Sequence, residues 1–335
     1  MNKRLLIDPL DTESDHPCRL VNYTQNYQEF RCLLDRNVVS YLISLTARHE
    51  VKSELRYTAA LQAFLNIAEI QSDPGLAYHE YMDSSGIEKA DKELALFRAA
   101  DNVNANYYVD LALGNITSIP KVAINTFSNG ELFDKAKQQP PKLKYFEANK
   151  LCVKKALILK SCGYTDYQVM LELVDWVKDE YLFTAPAFHF LSIYFSSKRI
   201  SNMLKSHSLA GVDNAAWDLC LVQELISRNK NDPTHVRWLL STFDKAIKAT
   251  IDLAFKKYYE DIDSYISRLE HSYSEMWGRK NGHGKRLLKK LSDFRNSAND
   301  ESRNIVKYDW SSEYILSLRE SIDNEFCDKV LAKQS

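Results

Sequence analysis

Phe30–Ser40 reads FRCLLDRNVVS, and the rest of the chain is organised around it. A short apolar run, Cys32-Leu33-Leu34, ends in Asp35. Asn37 follows, and then Val38, Val39, Leu42 and Ile43 recur at helical spacing. The pattern predicts a strand, a turn and a helix, with a carboxylate at the strand's C-terminal tip. In open α/β sheets, ligands bind just beyond the carboxyl ends of the strands. Asp35 is therefore a candidate anchor for an acidic metal site, for which the rest of the chain must supply partners.

The 335 residues are 45% hydrophobic, ample for a core, and their number suggests two domains or one large domain with insertions. With 9 Gly and 8 Pro, turns are few and helices should dominate. Lys and Arg (44) balance Asp and Glu (45) to a formal net charge of -1. That excludes a wholly basic nucleic-acid-binding surface and leaves room for a local basic patch. The N-terminal MNKRLLIDPLD lacks a long apolar run. The most apolar stretch, Tyr181–Ser196, is broken by Pro186 and His189 and is short for a membrane span, so it reads as a buried strand or helix. None of the 6 cysteines forms a C-x-x-C pair, which fits reduced, core-filling thiols. A cytoplasmic protein away from the membrane is expected.

Along the chain, residues 1–29 are polar and irregular, an N-terminal arm. Val51–Gln71 has helical periodicity, Asp73-Pro74-Gly75 signals a turn, and Leu76–Met82 resumes a helix carrying Glu80. Gly86 ends it, and Ile87–Ala100 is a helix with a charged face. Tyr107–Leu113 is ambiguous, whereas Pro120–Phe127, PKVAINTF, reads as a strand. Ser128–Ala148, with Pro140-Pro141, is the best linker or insertion boundary. Leu151–Cys162 and Asp166–Asp179 are helices around Gly163; Asn214–Ser227 is a helix with Asp213 as N-cap. Val236–Thr242 is a strand. From Lys245 to Trp277 the apolar positions Ile247, Ile251, Phe255, Tyr258, Ile262, Tyr265, Leu269, Tyr273 and Met276 predict one long amphipathic helix. Asn281–Gly284 stops it, Lys285–Phe294 folds back as a hairpin partner, and Ser312–Lys333 is a final helix.

Four carboxylates stand out: Asp35, Glu80 in LAYHEYM, Asp218 in NAAWDLCLVQELI, and Asp244 after VRWLLSTF. Asp218 is flanked by Ala215, Ala216, Trp217, Leu219, Cys220, Leu221 and Val222, which predicts a buried carboxylate in need of a cation or a dense hydrogen-bond network. Asp244 repeats the pattern of Asp35: apolar run, carboxylate, helix. Adjacent parallel strands would bring the two tips together. Converging carboxylates repel, and Mg²⁺ or Mn²⁺ relieves that repulsion through oxygen ligands. Taken singly, Asp35 and Asp244 are also good helix caps.

The order of these pieces resembles the PIN-like (PIN domain) nuclease family. LLDRNVVSYLI resembles its opening strand with Asp-x-Asn, LAYHEYM its Glu-bearing helix, NAAWDLCLVQELI its acidic helix, and LLSTFDKAIK its closing strand with Thr-x-Asp and a basic residue. No clear strand precedes Glu80, where the family has one, and the gap from Glu80 to Asp218 requires a large insertion. The resemblance implies an α/β fold with a Rossmann-like parallel sheet flanked by helices. It divides the chain into the arm (1–29), a first core part (30–127), an insertion or sheet-completing segment (128–212), a closing core part (213–258) and a helical C-terminal extension (259–335). It also implies a Mg²⁺- or Mn²⁺-dependent endoribonuclease, a toxin or defence effector held in check by a regulatory protein partner. Asp35, Glu80, Asp218 and Asp244 would be the catalytic metal ligands, with Asn37 and Thr242 in support.

Arg279–Arg295, RKNGHGKRLLKKLSDFR, is the most basic stretch, with Asp293 its one acid. With Lys245 and Lys248, the residues Arg279, Lys280, Lys285, Arg286, Lys289 and Lys290 are candidate RNA-backbone contacts, or else a solvated hairpin tip. Zinc spacing, G-x-x-x-x-G-K, G-x-G-x-x-G and G-x-S-x-G are all absent from the sequence, which disfavours zinc, nucleotide-driven and serine-hydrolase chemistry. The alternative is a non-catalytic helical interaction or RNA-binding subunit of a larger assembly; on either reading the C-terminal helices could build a homo-oligomer.

Overall fold

The computed structural model describes residues 5–9, 29–47, 55–124, 144–204, 206–231, 236–256, 260–297 and 312–332. They form a helix-rich α/β protein with a mixed four-stranded sheet. The chain divides into two compact units, Met1–Pro141 with Glu224–Asp244, and Lys142–Gln223 with Lys245–Ser335.

The first unit holds the sheet. Strands β1 (Leu6–Ile7), β2 (Glu29–Leu34), β3 (Gln71–Asp73) and β4 (Val236–Ser241) lie in the order β1-β4-β2-β3. β2 runs parallel to both β3 and β4, and β1 is antiparallel to β4. The sheet is therefore mixed rather than wholly parallel. β2 is central, and Cys32, Leu33 and Leu34 are all buried, as a strand covered on both faces requires. Helix α1 (Arg36–Ala47) starts just past Asp35, earlier than the apolar periodicity at Val38, and buries Val38, Val39, Leu42 and Leu45. α2 (Leu55–Ile67), α3 (Gly75–Ser85), α4 (Ile87–Asp101) and α5 (Ala105–Leu113) complete this layer. α2 packs on α5 and α1 on α4, so that Leu65, Phe97 and Tyr108 share a core with Cys32, Leu34 and Leu239.

Three expectations change here. The helix expected over Val51–Gln71 ends at Ile67, and Gln71 opens β3, so a strand does precede Glu80. Pro120–Phe127 is not a strand over its described part: Lys121–Ala123 is a 3-10 turn, closed locally by Ala123 N–H to Pro120 O (2.9 Å) and Ile124 N–H to Lys121 O (3.1 Å). Residues 125–127 lie outside the described residues. The N-terminal arm contributes β1, while residues 10–28 also lie outside them.

The second unit is helical among its described residues. It contains α6 (Lys144–Ser161), α7 (Asp166–Glu180), α8 (Ala185–Phe195), the first part of α9 (Leu209–Asn231), α10 (Lys245–Ala254), α11 (Ile262–Trp277), α12 (His283–Ser297) and α13 (Glu313–Phe326). A π-helical turn, Cys327–Leu331, follows α13. Thr165 and Gln168 open α7 with a reciprocal capping box. α8 is buried from Pro186 through Phe195, which makes the apolar stretch a core helix. Residues 144–204 add helices, and none of the four strands comes from them. Ala215, Leu219, Ala246 and Leu253 belong to the core of this unit, so the segment 213–258 is divided between the two units rather than closing one core.

The long helix expected over Lys245–Trp277 is two helices. Asp261 caps α11 by accepting from Ser264 N–H at 2.7 Å. Arg268 donates to the carbonyls of Asp252 and Phe255 and to Glu260, and Tyr265 Oη donates to Leu253 O at 3.0 Å. Side chains thus satisfy the terminal carbonyls of α10, and the backbone is released from continuing as one helix. Tyr258 lies outside the described residues. α11 and α12 do form the expected hairpin. Gly284 makes it possible, since a Cβ there would collide with the carbonyl of Tyr273.

Cys32, Cys152 and Cys220 are buried, whereas Cys162 and Cys327 are exposed, and all five are free thiols. Among the described residues, no helix is long and apolar enough to cross a membrane.

Candidate active site

The site begins with the register of the two central strands. Leu34 of β2 stands opposite Ser241 of β4, so the parallel strands end level with each other. Asp35 N–H continues the pairing by donating to Ser241 O at 3.0 Å. The next residue of each chain segment, Asp35 on one and Thr242 on the other, is then side by side. Thr242 Oγ1 donates to Asp35 Oδ2 at 2.8 Å and accepts from Asp244 N–H at 2.9 Å. One hydroxyl therefore links the two strand tips that carry Asp35 and Asp244.

Asp35 is 4% exposed and Thr242 0%. Burial pushes the Asp35 carboxyl above its ordinary value. Hydrogen bonds from Thr242 and from the backbone and side chain of Asn37 oppose that shift, and the neighbouring charge of Asp244 adds to it. A buried carboxylate with a second carboxylate beside it is the arrangement that an oxygen-seeking cation relieves. The groups present, two carboxylates with a hydroxyl and an amide around them, are hard donors, and they fit Mg²⁺ or Mn²⁺ better than a thiophilic metal.

The other expected residues fall as follows. Glu80 lies in the first unit on α3, partly exposed. α3 starts directly after β3, which is parallel to β2, so α1 and α3 leave the sheet at the same edge. Asp218 is in the second unit and is partly exposed, not buried. Ala215, Ala216, Leu219 and Cys220 take the buried side of α9, while Asp213, Asn214, Trp217 and Asp218 share the other. Asp213 is not an N-cap either: it lies inside α9 and pairs with Lys150 at 2.7 Å. Among the described residues, no group of three or more His, Cys, Asp or Glu side chains is placed to hold a metal ion.

The basic candidates belong to the second unit. Lys245 opens α10 and is exposed, and Lys248 is partly exposed. Arg279 pairs with Glu275 and Lys290 with Asp175. Lys280, Lys285, Arg286 and Lys289 are exposed.

Some contributors escaped the sequence reading. Arg36, between Asp35 and Asn37, pairs with Glu93 at 2.7 Å and stacks over Tyr81 at 4.3 Å, tying α1 to the helix of Glu80. Leu5 O accepts from Thr242 N–H at 3.0 Å. Arg237 of β4, 1% exposed, meets Asp8 through Nη2 at 2.7 and 2.9 Å and Nε at 3.1 Å. An arginine inside the apolar run VRWLLS was the available signal, since a buried guanidinium demands an acid.

Comparison of the chain with family models, with curated proteins and with solved structures finds no match.

Proposed function

We infer that the protein is a PIN-like, metal-dependent endoribonuclease whose reaction centre lies at the carboxyl ends of β2 and β4. The observation that carries this is the Asp35–Thr242–Asp244 linkage across two adjacent parallel strands. It joins the Asp-x-Asn and Thr-x-Asp motifs, which stand far apart in the sequence. Asp35 and Asp244 would hold the cation. A bound Mg²⁺ or Mn²⁺ supplies Lewis acidity at a phosphodiester and an activated water at neutral pH.

The chain's own residues do the positioning. Thr242 holds one oxygen of Asp35 in place by donating to it, and it holds the Asp244 turn by accepting from its N–H. Asn37 bonds to Asp35 through its backbone and side chain, which opposes the upward push of burial on the carboxyl. Exposed Lys285, Arg286 and Lys289 offer charge to an RNA backbone.

The test is cleavage of labelled single-stranded RNA with Mg²⁺ or Mn²⁺, using wild type beside Asp35→Asn and Asp244→Asn. Loss of cleavage by at least a hundredfold in both variants supports the assignment. Equal cleavage in all three proteins would trace the activity to another source. RNA binding without any cleavage would favour the non-catalytic RNA-binding alternative. An Asp218→Asn arm checks separately the expectation for that residue.

A further inference from the structure

We propose that the buried Asp8–Arg237 pair is a register lock through which the N-terminal strand positions Thr242, making Asp8 and Arg237 positioning residues of the site. This rests on the assignment of Asp35, Thr242 and Asp244 as that site.

β1 is only two residues long, and its ladder on β4 consists of Leu6 opposite Ser241 and Ile7 opposite Leu240. So short a ladder does little to specify its own register. Next to it, however, Leu5 O accepts from Thr242 N–H at 3.0 Å. Thr242 is therefore held from three directions: by β1 through its N–H, by Asp35 through the bond it donates, and by Asp244 N–H through the bond it accepts. A one-residue slip of β1 would take Leu5 O away from Thr242 N–H, which is buried and cannot turn to water instead.

Asp8 follows β1 directly and grips Arg237 with both carboxylate oxygens, 2.7 and 2.9 Å from Nη2. Asp8 is 7% exposed and Arg237 1%. A buried ion pair adds little net stability over apolar residues of the same size, and its best-attested use is to select one register. Here the pair admits one alignment of β1 on β4, the one that places Leu5 O against Thr242.

The test replaces the pair without stranding a charge, by Asp8→Leu with Arg237→Met in the full-length chain. A second variant, Arg237→Lys, keeps a cation but loses the planar fork. The readouts are amide hydrogen exchange at Thr242, Mn²⁺ affinity by electron paramagnetic resonance, and kcat and KM on RNA. We expect both variants to unfold cooperatively. We also expect Thr242 exchange to be at least tenfold faster, Mn²⁺ affinity about tenfold weaker, and kcat to fall with KM unchanged. Adding Thr242→Val to either should cost little more Mn²⁺ affinity, because both changes act through one residue. Unchanged Thr242 exchange in a folded variant overturns the proposal, and so do fully additive losses. Faster exchange in the variants, together with a wild type that neither binds Mn²⁺ nor cleaves RNA, leaves the lock standing as structure and overturns its link to a reaction site.

Discussion

Replacing Asp101 with Asn should stabilise the protein at pH 7. Asp101 sits largely inside the first unit, where burial raises its carboxyl above the ordinary value despite the hydrogen bond from Gln62 Nε2 at 3.0 Å. A raised folded value means that the folded state holds the proton more tightly than the unfolded state. The favourable contribution is complete below the ordinary carboxylate value and is lost as pH climbs through the raised one. At pH 7 the ionised group is a net cost, which Asn removes while keeping an acceptor for Gln62. Melting temperatures at pH 7 and pH 4 should show the variant ahead at pH 7 and the gap closing toward pH 4. At this scale the sequence was partly legible. Asp35 and Asp244 were readable because each ends an apolar run before a helix. Asp218 is not buried as its apolar neighbours suggest, because Ala215, Ala216, Leu219 and Cys220 take one side of α9 and Asp218 the other. Asp8 went unread because its partner is 229 positions away, and only the demand of Arg237 for an acid pointed to it.

Among the elements, β4 depends on a side chain that stands in for a neighbouring strand. Asn229 of α9 donates to Trp238 O at 3.0 Å and accepts from Trp238 N–H at 3.2 Å, so one amide satisfies both backbone groups beyond the reach of β1. Asn229→Ala would strand a donor and an acceptor in a buried position, at about 1–3 kcal/mol for each group left unsatisfied. The urea midpoint should fall, and Asn229→Asp should not recover the loss at pH 7, because it sets a buried carboxylate against the carbonyls of Leu225 and Trp238. In the second unit, Gly284→Ala should cost about 1–3 kcal/mol by overpacking, because its new methyl meets the Tyr273 backbone. Thermal unfolding of the full-length chain reads this directly. β2 and α1 were legible because an apolar run and a helical period are local signals. β3 was not, because Gln71-Ser72-Asp73 has no strand character of its own and is a strand only by pairing with β2. The break between α10 and α11 was hidden because the apolar stripe keeps its step across it. What interrupts the helix is Arg268 bonding to distant carbonyls, which periodicity does not encode.

For the molecule as a whole, charge separates the two uses that its surface could serve. The chain is near neutrality, at -1 overall, so any binding to RNA would have to come from a local patch. On α12, Lys285, Arg286 and Lys289 are exposed, while Leu287, Leu291 and Phe294 are buried in the core of the second unit. The cations are therefore removable without touching the packing. If they contact phosphates, the triple substitution Lys285→Ala, Arg286→Ala, Lys289→Ala should weaken single-stranded RNA binding on all sequences alike. It should also flatten the dependence of log K on log salt by about 2, at roughly 0.7 per phosphate contact. The melting temperature should stay near that of the wild type, since surface substitutions of this kind shift stability by about 0.5 kcal/mol or less. An unchanged slope with unchanged affinity would make α12 a solvated outer face and move the search for the RNA contact to Lys245 and Lys248. An equal loss of affinity with an unchanged slope would mean that the substitutions act through shape rather than charge, and the electrostatic assignment would fall.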